Sequence, residues 1–559
     1  MEKRAILAIA LSAAILILYQ LFFMPSPPPP AQISKAEAPK ESPGTTVPLP
    51  APPLPPPVVT KVDQGQGREV VVETPRFRAR LTTAGGRITD WVMKYRGERR
   101  VTSALGPPPF ALSLRRGGQE EIIGFPFEAS LTKDLVLSSV QKEGKVQFDG
   151  SDQYQLAVTE EFRFSADGNW VDITFFLENK HRVPQQIEFE VNWILPPAAT
   201  EKDGPADGVR FVRVVGLDAS GLFRHPIGEL SDRKDKAGGR WVAVESDDHY
   251  LAALIAKGPG ARLVEEGGPG RPQRIALLFP PLTLVPGARG EAQATLYVGP
   301  KEYDQLRSLG VGLERAVDFG TFFWVLPMEW FSVPLLWLMN FIYRYTGNYG
   351  IAIILLTVLT KILFYPLTQK SMTSMKQMQA LQPHLNALRA KYKNDNQRLQ
   401  REMMELYRRH GVNPMGGCLP IVIQIPVFYA LYVTLTVSVE LQQSPLLCLG
   451  RLFGWELWIC DLSKADPTYI LPMLMGVTMF IQQKMTPTMG DPRQAKIMLL
   501  MPVIFTFMFL QFPTGLVLYW LVNNILSIAQ QYYINRGAQA IEPPEKEGGR
   551  RVKKEGRRA

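Results

Sequence analysis

The most constraining feature of this 559-residue sequence is an apolar stretch that carries a single lysine. The stretch, IAIILLTVLTKILFY over residues 351–365, is long enough with its flanks to cross a bilayer, and it contains Lys361. A lysine at the centre of a membrane helix costs about 2.5–3.5 kcal/mol on translocon-type scales. Such a residue pairs with another group, lines a water-filled cavity, or extends its side chain to the membrane interface.

Further apolar blocks predict the fold class. Residues 5–24 are almost wholly apolar, and five more spans are predicted at roughly 337–365, 419–439, 469–485, 497–511 and 514–534. We therefore expect an α-helical polytopic membrane protein with six transmembrane helices, five of which form the core. A cleaved signal peptide is the alternative for residues 1–24, but its apolar region would be shorter and would end in a small-residue cleavage site. We favour an uncleaved N-terminal anchor over 1–24.

The loops between these spans predict the orientation. Residues 370–410 carry nine Lys/Arg against three acids, whereas residues 440–467 carry two against four. Because Lys and Arg accumulate on the cytoplasmic side, the first loop should be cytoplasmic and the second outside. Both termini are then cytoplasmic, and the domain between the first two spans is periplasmic.

That domain should be all-β. After a proline-rich periplasmic linker over 25–64, which favours extended polyproline II, short alternating runs predict a large β sandwich with a C-terminal helix over 65–317. One predicted hairpin joins 162–164 to 170–176 through the turn Ala166-Asp167-Gly168-Asn169. Residues 318–336 are rich in tryptophan and phenylalanine, which predicts an amphipathic helix at the membrane interface. The helical core follows over residues 337–536.

The cytoplasmic loop has a pattern of its own. Apolar residues recur every three or four positions, which predicts a helical hairpin over 370–411, with Pro383 either kinking the first helix or marking its start. Basic residues here and in the tail, 537–559, suit anionic lipid or RNA phosphates, although orientation bias alone explains some of them. The hairpin residues that we expect to meet partners are Met375, Met378, Arg389, Lys391, Met403 and Arg408.

The sequence gives little support for an enzyme. Its five histidines all lie outside the predicted spans, and we find no hydrolase, nucleotide-binding or metal-ligand motif. A Ser/Lys dyad on Lys361 lacks a serine within one turn on the same helix face, and Asp247, Asp248 and His249 suit a solvated turn. We expect no cofactor and no metal. Cys448 and Cys460 either pair in an oxidising compartment or remain reduced.

Uncharged polar residues are scattered through the predicted spans, among them Thr357, Gln424, Tyr519 and Asn523. Hydrogen bonding between helices, worth about 0.6 kcal/mol per pair, would explain many of them. No acid occurs in a span, which removes charge pairing for Lys361. A wet cavity and extension toward the interface remain open, since Lys361 lies only five residues from Pro366, roughly 7 Å along a helix.

Four segments together carry a family resemblance. They are YTGNYGIAIILLTVLTKILFYPLT (345–368), NPMGGCLPIVIQIPVF (413–428), ILPMLMGVTMFIQQKM (470–485) and MPVIFTFMFLQFPTGLVLY (501–519). They resemble the YidC/Oxa/Alb family of membrane protein insertases, and the layout resembles its Gram-negative form. The resemblance implies a galactose-mutarotase-like β supersandwich in the periplasm and a hydrophilic groove that opens to the cytoplasm and to lipid.

The resemblance also implies roles for individual residues. The family's groove charge is typically arginine, and Lys361 at that position keeps the charge but lacks the bidentate fork of a guanidinium. Implied groove residues are Lys361, Thr357, Gln424, Tyr519 and Asn523, and an apolar segment would leave along Phe428, Phe505 and Phe509.

By the same resemblance, the chain would insert, fold and help to assemble proteins of the bacterial inner membrane, alone or with the Sec translocon. Nascent membrane proteins, membrane lipids, the ribosome and the signal-recognition-particle receptor would be its partners, and a monomer would suffice. A polar-lined transporter or channel is the alternative, disfavoured because no acid accompanies the lysine and no inverted repeat is apparent.

Overall fold

The computed structural model describes residues 67–537 apart from gaps at 102–108, 117–118, 132, 196–210, 247–248, 269–272, 323–325, 393–394, 413–418, 453–454 and 486–491. The predicted anchor over 1–24, the linker over 25–64 and nearly all of the tail over 537–559 lie outside the described residues. Asp247 and Asp248 of the predicted turn also lie outside them.

Short strands follow one another from Glu69 to Pro300, which confirms the predicted all-β character of this region. They are β1 (Glu69–Glu73), β2 (Phe77–Thr82), β3 (Arg87–Lys94), β4 (Glu98–Arg100), β5 (Phe110–Arg116), β6 (Gln119–Ile122), β7 (Phe127–Ala129), β8 (Leu135–Val136), β9 (Glu143–Ser151), β10 (Leu156–Ser165), β11 (Trp170–Asn179), β12 (Gln185–Ile194), β13 (Phe211–Asp218), β14 (Gly221–Pro226), β15 (Lys234–Lys236), β16 (Trp241–Ser246), β17 (Tyr250–Lys257), β18 (Arg262–Glu266), β19 (Arg274–Leu278), β20 (Leu282–Leu284) and β21 (Arg289–Pro300).

These strands form two sheets. The first has the order β15-β18-β19-β12-β5-β3-β2-β1-β8, with β4, β6 and β20 paired to β3, β5 and β12. The second has the order β14-β13-β16-β17-β21-β11-β10-β9-β7. Strands β1 and β8 are parallel, whereas the hairpin-linked pairs such as β10 and β11 are antiparallel, as short connections require.

The predicted hairpin is present as β10 and β11, with Phe162 opposite Ile173. Side chains along both strands alternate between buried and partly exposed, because successive residues of a strand point to opposite faces. The buried faces of the two sheets meet in one apolar core. Phe77 of the first sheet stacks on Trp91, with centroids 4.3 Å apart, and lies 6.3 Å from the ring of Phe164 in the second sheet.

A helical region follows the sandwich. Its helices are α1 (Tyr303–Ser308), α2 (Glu329–Thr346), α3 (Tyr349–Ala380), α4 (Gln382–Lys391), α5 (Asn396–Arg409), α6 (Leu419–Val437), α7 (Ile470–Met485), α8 (Pro492–Phe509) and α9 (Thr514–Gly537). Four short strands accompany them: β22 (Thr321–Phe322), β23 (Leu326–Pro327), β24 (Leu447–Leu452) and β25 (Trp455–Ile459). Helix α1 is the C-terminal helix expected for the β domain.

The break before the first core helix differs from the expected one. The sequence boundary lies at 336/337, but α2 runs through it to Thr346 and α3 begins at Tyr349. Gly347 adopts a left-handed φ of 65° that ends α2, and the Asn348 side chain accepts a hydrogen bond from the Ile351 amide that caps α3. Hydropathy could not locate this break because apolar residues lie on both sides of it.

Only one described helix is both long and apolar enough to cross a membrane by length and composition, namely α3. The described parts of α6 and α8 contain shorter apolar helices, Ile425–Val437 and Leu499–Phe509. Helices nevertheless occupy all five predicted core spans. Six membrane-crossing helices therefore remain a prediction.

The hairpin that the sequence predicts to be cytoplasmic contains three helical segments. Helix α3 continues to Ala380, and Pro383 stands at the start of α4, so the proline marks a helix start. Asp395 caps α5 by accepting a hydrogen bond from the Arg398 amide. The rings of His384, early in α4, and His410, just after α5, lie 6.3 Å apart, so the two helices run antiparallel.

The segment after α6 joins the helical core to the sandwich. Val439, at the start of this segment, is fully buried within the apolar core of the β domain. Tyr250 of β17 donates a hydrogen bond of 2.6 Å to the Gln442 side chain. The end of α6 therefore lies at the β-domain side of the core. The Asn348 side chain, at the start of α3, donates to the Leu446 carbonyl in the loop after α6. The start of α3 and this loop therefore lie at the same side.

Candidate functional site

Lys361 lies midway along α3 and is half-buried against α9. Its ammonium donates a hydrogen bond of 2.7 Å to the hydroxyl of Ser527, 166 positions later in the chain. The Ser527 hydroxyl in turn donates to the Asn523 carbonyl one turn earlier, at 2.7 Å. Among the residues that the structure describes, no carboxylate forms an ion pair with Lys361. Within the described part of the chain, the lysine thus has a neutral partner and no counterion.

We define the polar ladder as three hydrogen bonds between described residues of α3 and α9: Lys361 to Ser527, Gln530 to Thr368, and Lys376 to Ile534. The Gln530 amide donates to the Thr368 hydroxyl at 2.9 Å, and the Lys376 ammonium donates to the Ile534 carbonyl at 2.6 Å. Residue numbers increase together along both helices, so α3 and α9 are parallel. From Lys361, the ladder extends along both helices away from the β domain.

Helix α9 also makes polar contacts with α7. The Asn524 side chain lies 3.5 Å from the Thr478 hydroxyl, and the Gln531 amide donates to the Met485 carbonyl at 2.5 Å. Polar side chains of α9 are therefore directed to both neighbouring helices. The sequence prediction that such residues join helices by hydrogen bonds is confirmed for this part of the core.

The predicted groove residues separate into two groups. Thr357 is fully buried, and its hydroxyl donates to the Ile353 carbonyl of its own helix. Tyr519 is also buried, with its ring centroid 6.1 Å from that of Phe428. Thr357 and Tyr519 therefore belong to the packed interior, and neither contacts the Lys361 ammonium. The helix face shared by Thr357 and Lys361 is closed at the threonine and becomes accessible only toward the lysine.

The other predicted groove residues are placed differently. Asn523 is half-buried and meets the lysine indirectly, because its carbonyl accepts from Ser527. Gln424 lies in α6, but its side chain lies outside the described residues. Sequence reasoning missed Ser527 as the lysine's partner because it searched only the face of α3. The signal was present, since Tyr519, Asn523 and Ser527 recur every four residues on one face of α9.

The serine–lysine contact has the wrong polarity for a catalytic dyad. A lysine that activates a serine must accept the hydroxyl proton. Here the Lys361 ammonium is the donor, and the Ser527 proton is directed to the Asn523 carbonyl. The pair is arranged to hold a positive charge. Within the described part of the chain, no group of three or more His, Cys, Asp or Glu side chains is arranged to bind a metal ion.

The three residues expected along the exit path come together around a tryptophan. The Trp520 ring of α9 lies 4.7 Å from Phe428, 6.2 Å from Phe505 and 5.0 Å from Phe509. Phe428 and Phe505 are half-buried, whereas Phe509 is buried. This aromatic cluster, which we define as Phe428, Phe505, Phe509 and Trp520, joins α6, α8 and α9. Sequence reasoning missed Trp520, although it directly follows Tyr519.

The hairpin residues have mixed positions. Met378 is buried with Leu381 and Val412, so it stabilises the base of the hairpin. Met403 is half-buried, whereas Lys391 and Arg408 are exposed, and Arg389 is half-buried with a polar or charged contact. Met375 lies in α3, but its side chain lies outside the described residues.

A surface cavity of about 260 Å³ lies between α4 and α5. It is lined by His384, Ala387, Leu388, Lys391, Glu402, Glu405, Leu406 and Arg409.

The loop between α6 and α7 contains a disulfide. Cys448 and Cys460 are bonded across the two-stranded sheet of β24 and β25. Such a bond persists in an oxidising compartment, so it supports the prediction that this loop lies outside the cytoplasm.

Comparisons with known proteins give a consistent result. The family model described as the 60Kd inner membrane protein matches residues 341–541, and the one described as the YidC periplasmic domain matches residues 69–338. A relative from Syntrophus aciditrophicus is 38% identical over 575 residues, which cover 96% of this chain and 100% of the relative. A relative from Geobacter metallireducens is 36% identical over 562 residues, covering 97% of this chain and 100% of the relative. Both are named membrane protein insertase YidC.

One similar solved structure is described as an active YidC insertase crystal structure with the first transmembrane domain resolved. It is 20% identical in sequence, has a TM-score of 0.34, and covers 83% of this chain and 92% of that chain.

Proposed function

The chain belongs to the YidC family of membrane protein insertases, and from that premise we propose that Lys361 is where an incoming polypeptide first meets the helical core. Insertion moves a polypeptide segment into the bilayer without making or breaking a covalent bond, so the chain is an insertase and not an enzyme. The contact of the Lys361 ammonium with a neutral hydroxyl carries the proposal. A charge without a counterion in an apolar helix is available to a carboxylate brought by a client.

The physical effect is electrostatic attraction at low dielectric constant. Two opposite unit charges 4 Å apart attract by about 4 kcal/mol at an effective dielectric constant of 20, and by only about 1 kcal/mol in water. A half-buried ammonium therefore binds an acidic or strongly polar client segment more tightly than a surface lysine would. The Ser527 hydroxyl occupies only one N–H of the ammonium, so the client's carboxylate could bind and leave while that contact stays in place.

We propose that the accessible side of this site faces the cytoplasm. Counted from the β-domain end of α3, Lys361 lies one turn beyond Thr357, and the helix face that they share is closed at Thr357. The parallel arrangement of α3 and α9 suits six spans with both termini cytoplasmic, since each helix would then run from the periplasm inward. An acidic segment could enter from the cytoplasm but would meet packed side chains above the lysine.

The apolar part of a client would leave the core along α6 and α8. The aromatic cluster joins these two helices to α9, and side chains of α8 such as Phe507 and Ile504 are exposed on its outer face. This exposed apolar face suits contact with hydrocarbon and with a hydrophobic segment alike.

The partners follow from the same premise. Nascent inner-membrane proteins are the substrates, and the chain would insert and fold them alone or beside the Sec translocon, as a monomer in contact with membrane lipids. The hairpin of α4 and α5 exposes Lys391 and Arg408, which suits contact with the ribosome or the signal-recognition-particle receptor. The basic tail would add to this contact from the same side of the membrane.

Reconstitution with matched clients tests the groove role of Lys361. One client is a single apolar span with a short translocated tail carrying two aspartates, and its partner carries asparagines instead. We expect Lys361→Ala to reduce insertion of the acidic client about tenfold, equivalent to about 1.4 kcal/mol, and to affect the neutral client less. Lys361→Arg keeps the charge and should keep the activity. Protease protection of the translocated tail measures insertion.

Thr360→Ala is the matched control, because the Thr360 hydroxyl bonds the Thr357 carbonyl beside the lysine without touching the ammonium. A photoreactive residue at position 361 should crosslink the acidic client in vesicles, whereas one at Ile525, on an exposed face of α9, should crosslink it much less. Unchanged insertion by Lys361→Ala together with no crosslinks from position 361 would rule out the groove role.

A further inference from the structure

We propose that Ser527 is a positioning residue: it holds the Lys361 ammonium at one depth in the core and thereby makes insertion selective for clients whose carboxylate reaches that depth. The inference rests on the proposed groove role of Lys361. It concerns a different residue, on a different helix, and predicts a property that the lysine alone would not provide.

A lysine in this position has an alternative conformation. Its stem of four methylene groups is flexible, and the cytoplasmic end of the membrane lies roughly 7 Å away if that end is near Pro366. Without a restraint, the ammonium would extend toward the interface, where water solvates it.

Ser527 is built to provide that restraint. Its side chain is almost fully buried, with a relative exposure of 3%, and its own proton is committed to the Asn523 carbonyl. The oxygen therefore presents a lone pair to Lys361 in a fixed direction, at 2.7 Å. The Gln530 to Thr368 contact lies further along the same helix pair, so α3 and α9 remain joined when the Ser527 hydroxyl is removed.

The neutrality of the partner matters as much as its position. A hydroxyl satisfies one N–H of the ammonium and leaves its net charge unchanged. An aspartate at the same place would neutralise the lysine and would compete with the client's carboxylate. Ser527 can therefore fix the depth of the charge without reducing its attraction for an acidic segment. This predicts opposite consequences for losing the hydroxyl and for replacing it with an acid.

The test measures depth selectivity in proteoliposomes with the full-length protein. A series of clients carries one aspartate at successive positions along the translocated tail, each matched to an asparagine control. The wild-type protein should show a maximum in the aspartate-to-asparagine insertion ratio at one position. Ser527→Ala should lower that maximum about threefold and broaden it over neighbouring positions, in line with the average worth of one hydrogen bond inside a membrane protein.

Three further variants separate positioning from folding. Ser527→Thr retains a hydroxyl and should restore the maximum, and Ser527→Asp should abolish the preference for acidic clients. Combining Ser527→Ala with Lys361→Ala should give the profile of Lys361→Ala alone, because a residue that acts through the lysine has no effect once the lysine is gone. Thr360→Ala should leave the profile unchanged.

The outcomes are distinguishable. If Lys361→Ala retains the acidic preference, the proposed groove role fails and the positioning role fails with it. If Lys361→Ala removes the preference but Ser527→Ala keeps the sharp maximum, only the positioning role is overturned. The positioning role is also overturned if Ser527→Ala reduces insertion equally in the presence and absence of Lys361. Failure of Ser527→Thr to restore the maximum in the insertion ratio would overturn it as well. In both cases the serine acts through packing.

Discussion

Arg96, in the turn between β3 and β4, donates a hydrogen bond to the Ser444 hydroxyl in the segment that follows α6. The same guanidinium donates to the Gln442 carbonyl and lies over the ring of Tyr349, 5.7 Å from its centroid. Tyr349 is the first residue of α3, the helix that carries Lys361. One side chain of the β domain therefore contacts both the loop after α6 and the start of the groove helix.

Replacing Arg96 should loosen the β domain from the core. Arg96→Ala removes charged hydrogen bonds to two partly buried acceptors, and each such bond contributes about 1.5–3 kcal/mol. We expect the free energy of unfolding of the detergent-solubilised protein to fall by about 2 kcal/mol or more. Thermal unfolding measures this loss of stability.

Arg163→Ala is the control, because Arg163 pairs with Glu161 on the exposed face of the sandwich, where ion pairs contribute little to stability. Equal losses from both variants would contradict the proposed importance of the contact.

Glu440, between Val439 and Leu441 in the same segment, should make this contact sensitive to pH. The pKa of Glu440 is raised to about 7, chiefly by burial; the nearby carboxylates of Glu302 and Asp304 contribute to the rise, and the charge of Arg96 opposes it. A carboxyl whose folded pKa exceeds its unfolded value contributes stability when protonated. That stability is complete below about pH 4.5 and is lost as the pH rises through about 7.

Glu440→Gln should therefore remove most of the pH dependence of stability between about pH 5 and 8. At pH 8 the variant should be more stable than the wild type, by up to about 3 kcal/mol, because it has no buried charge to solvate. Thermal unfolding at pH 5.5 and 8 measures the difference. In an Arg96→Ala background the pH dependence should shift to higher pH, since the charge that favours the ionised carboxyl is gone. A parallel pH profile for wild type and Glu440→Gln would count against this assignment.

The disulfide should stabilise the loop between α6 and α7. Cys448 and Cys460 are 12 positions apart, and closing a loop of about that length contributes about 3 kcal/mol in the chain-entropy model. Replacing both cysteines with serine should lower thermal stability and leave the fold intact.

Thiol labelling tests the orientation of the same loop. In intact spheroplasts treated with a reductant, an impermeant thiol reagent should label Cys448 and Cys460. It should leave Cys418 unlabelled, because Cys418 falls on the predicted cytoplasmic side. Labelling of Cys418 from outside would overturn the proposed orientation.

The sequence was sufficient to predict the elements that depend on local pattern. Hydropathy located the core helices, and strict alternation identified strands such as β10 and β11, because both signals come from neighbours in the chain. The boundary expected at 336/337 does not coincide with the helix break, since the break depends on the left-handed backbone of Gly347 and the cap by Asn348, within a continuously apolar region.

The candidate site was predicted less completely. Lys361 was identified from the sequence because a lysine in a membrane span has a high free-energy cost. Its partner Ser527 is 166 positions away, and no local sequence pattern shows which face of α9 packs against α3. Thr357 was assigned to the groove because it shares a helix face with Lys361. The structure instead shows it buried, with its hydroxyl bonded to its own helix, which helices allow for any threonine.

Trp520 offers a last test, on the apolar side of the core. Its ring is the common neighbour of Phe428 on α6 and of Phe505 and Phe509 on α8, so Trp520→Ala would leave a cavity among them. Because Trp520 is half-buried, we expect a loss of about 2–3 kcal/mol in stability, less than the about 3–5 kcal/mol for tryptophans in packed cores. Trp520→Phe keeps most of the volume and should recover most of that loss.

The control for this truncation is Phe507→Ala, since Phe507 is 70% exposed on α8 and packs against no such cluster. If the cluster also forms the path by which apolar segments leave, Trp520→Phe should retain stability yet change crosslinking of an apolar client to positions 428 and 505. A stable Trp520→Phe protein with unaltered crosslinks at both positions would assign the cluster to packing alone. An altered pattern at equal stability would identify α6, α8 and α9 as the surface that a leaving segment contacts.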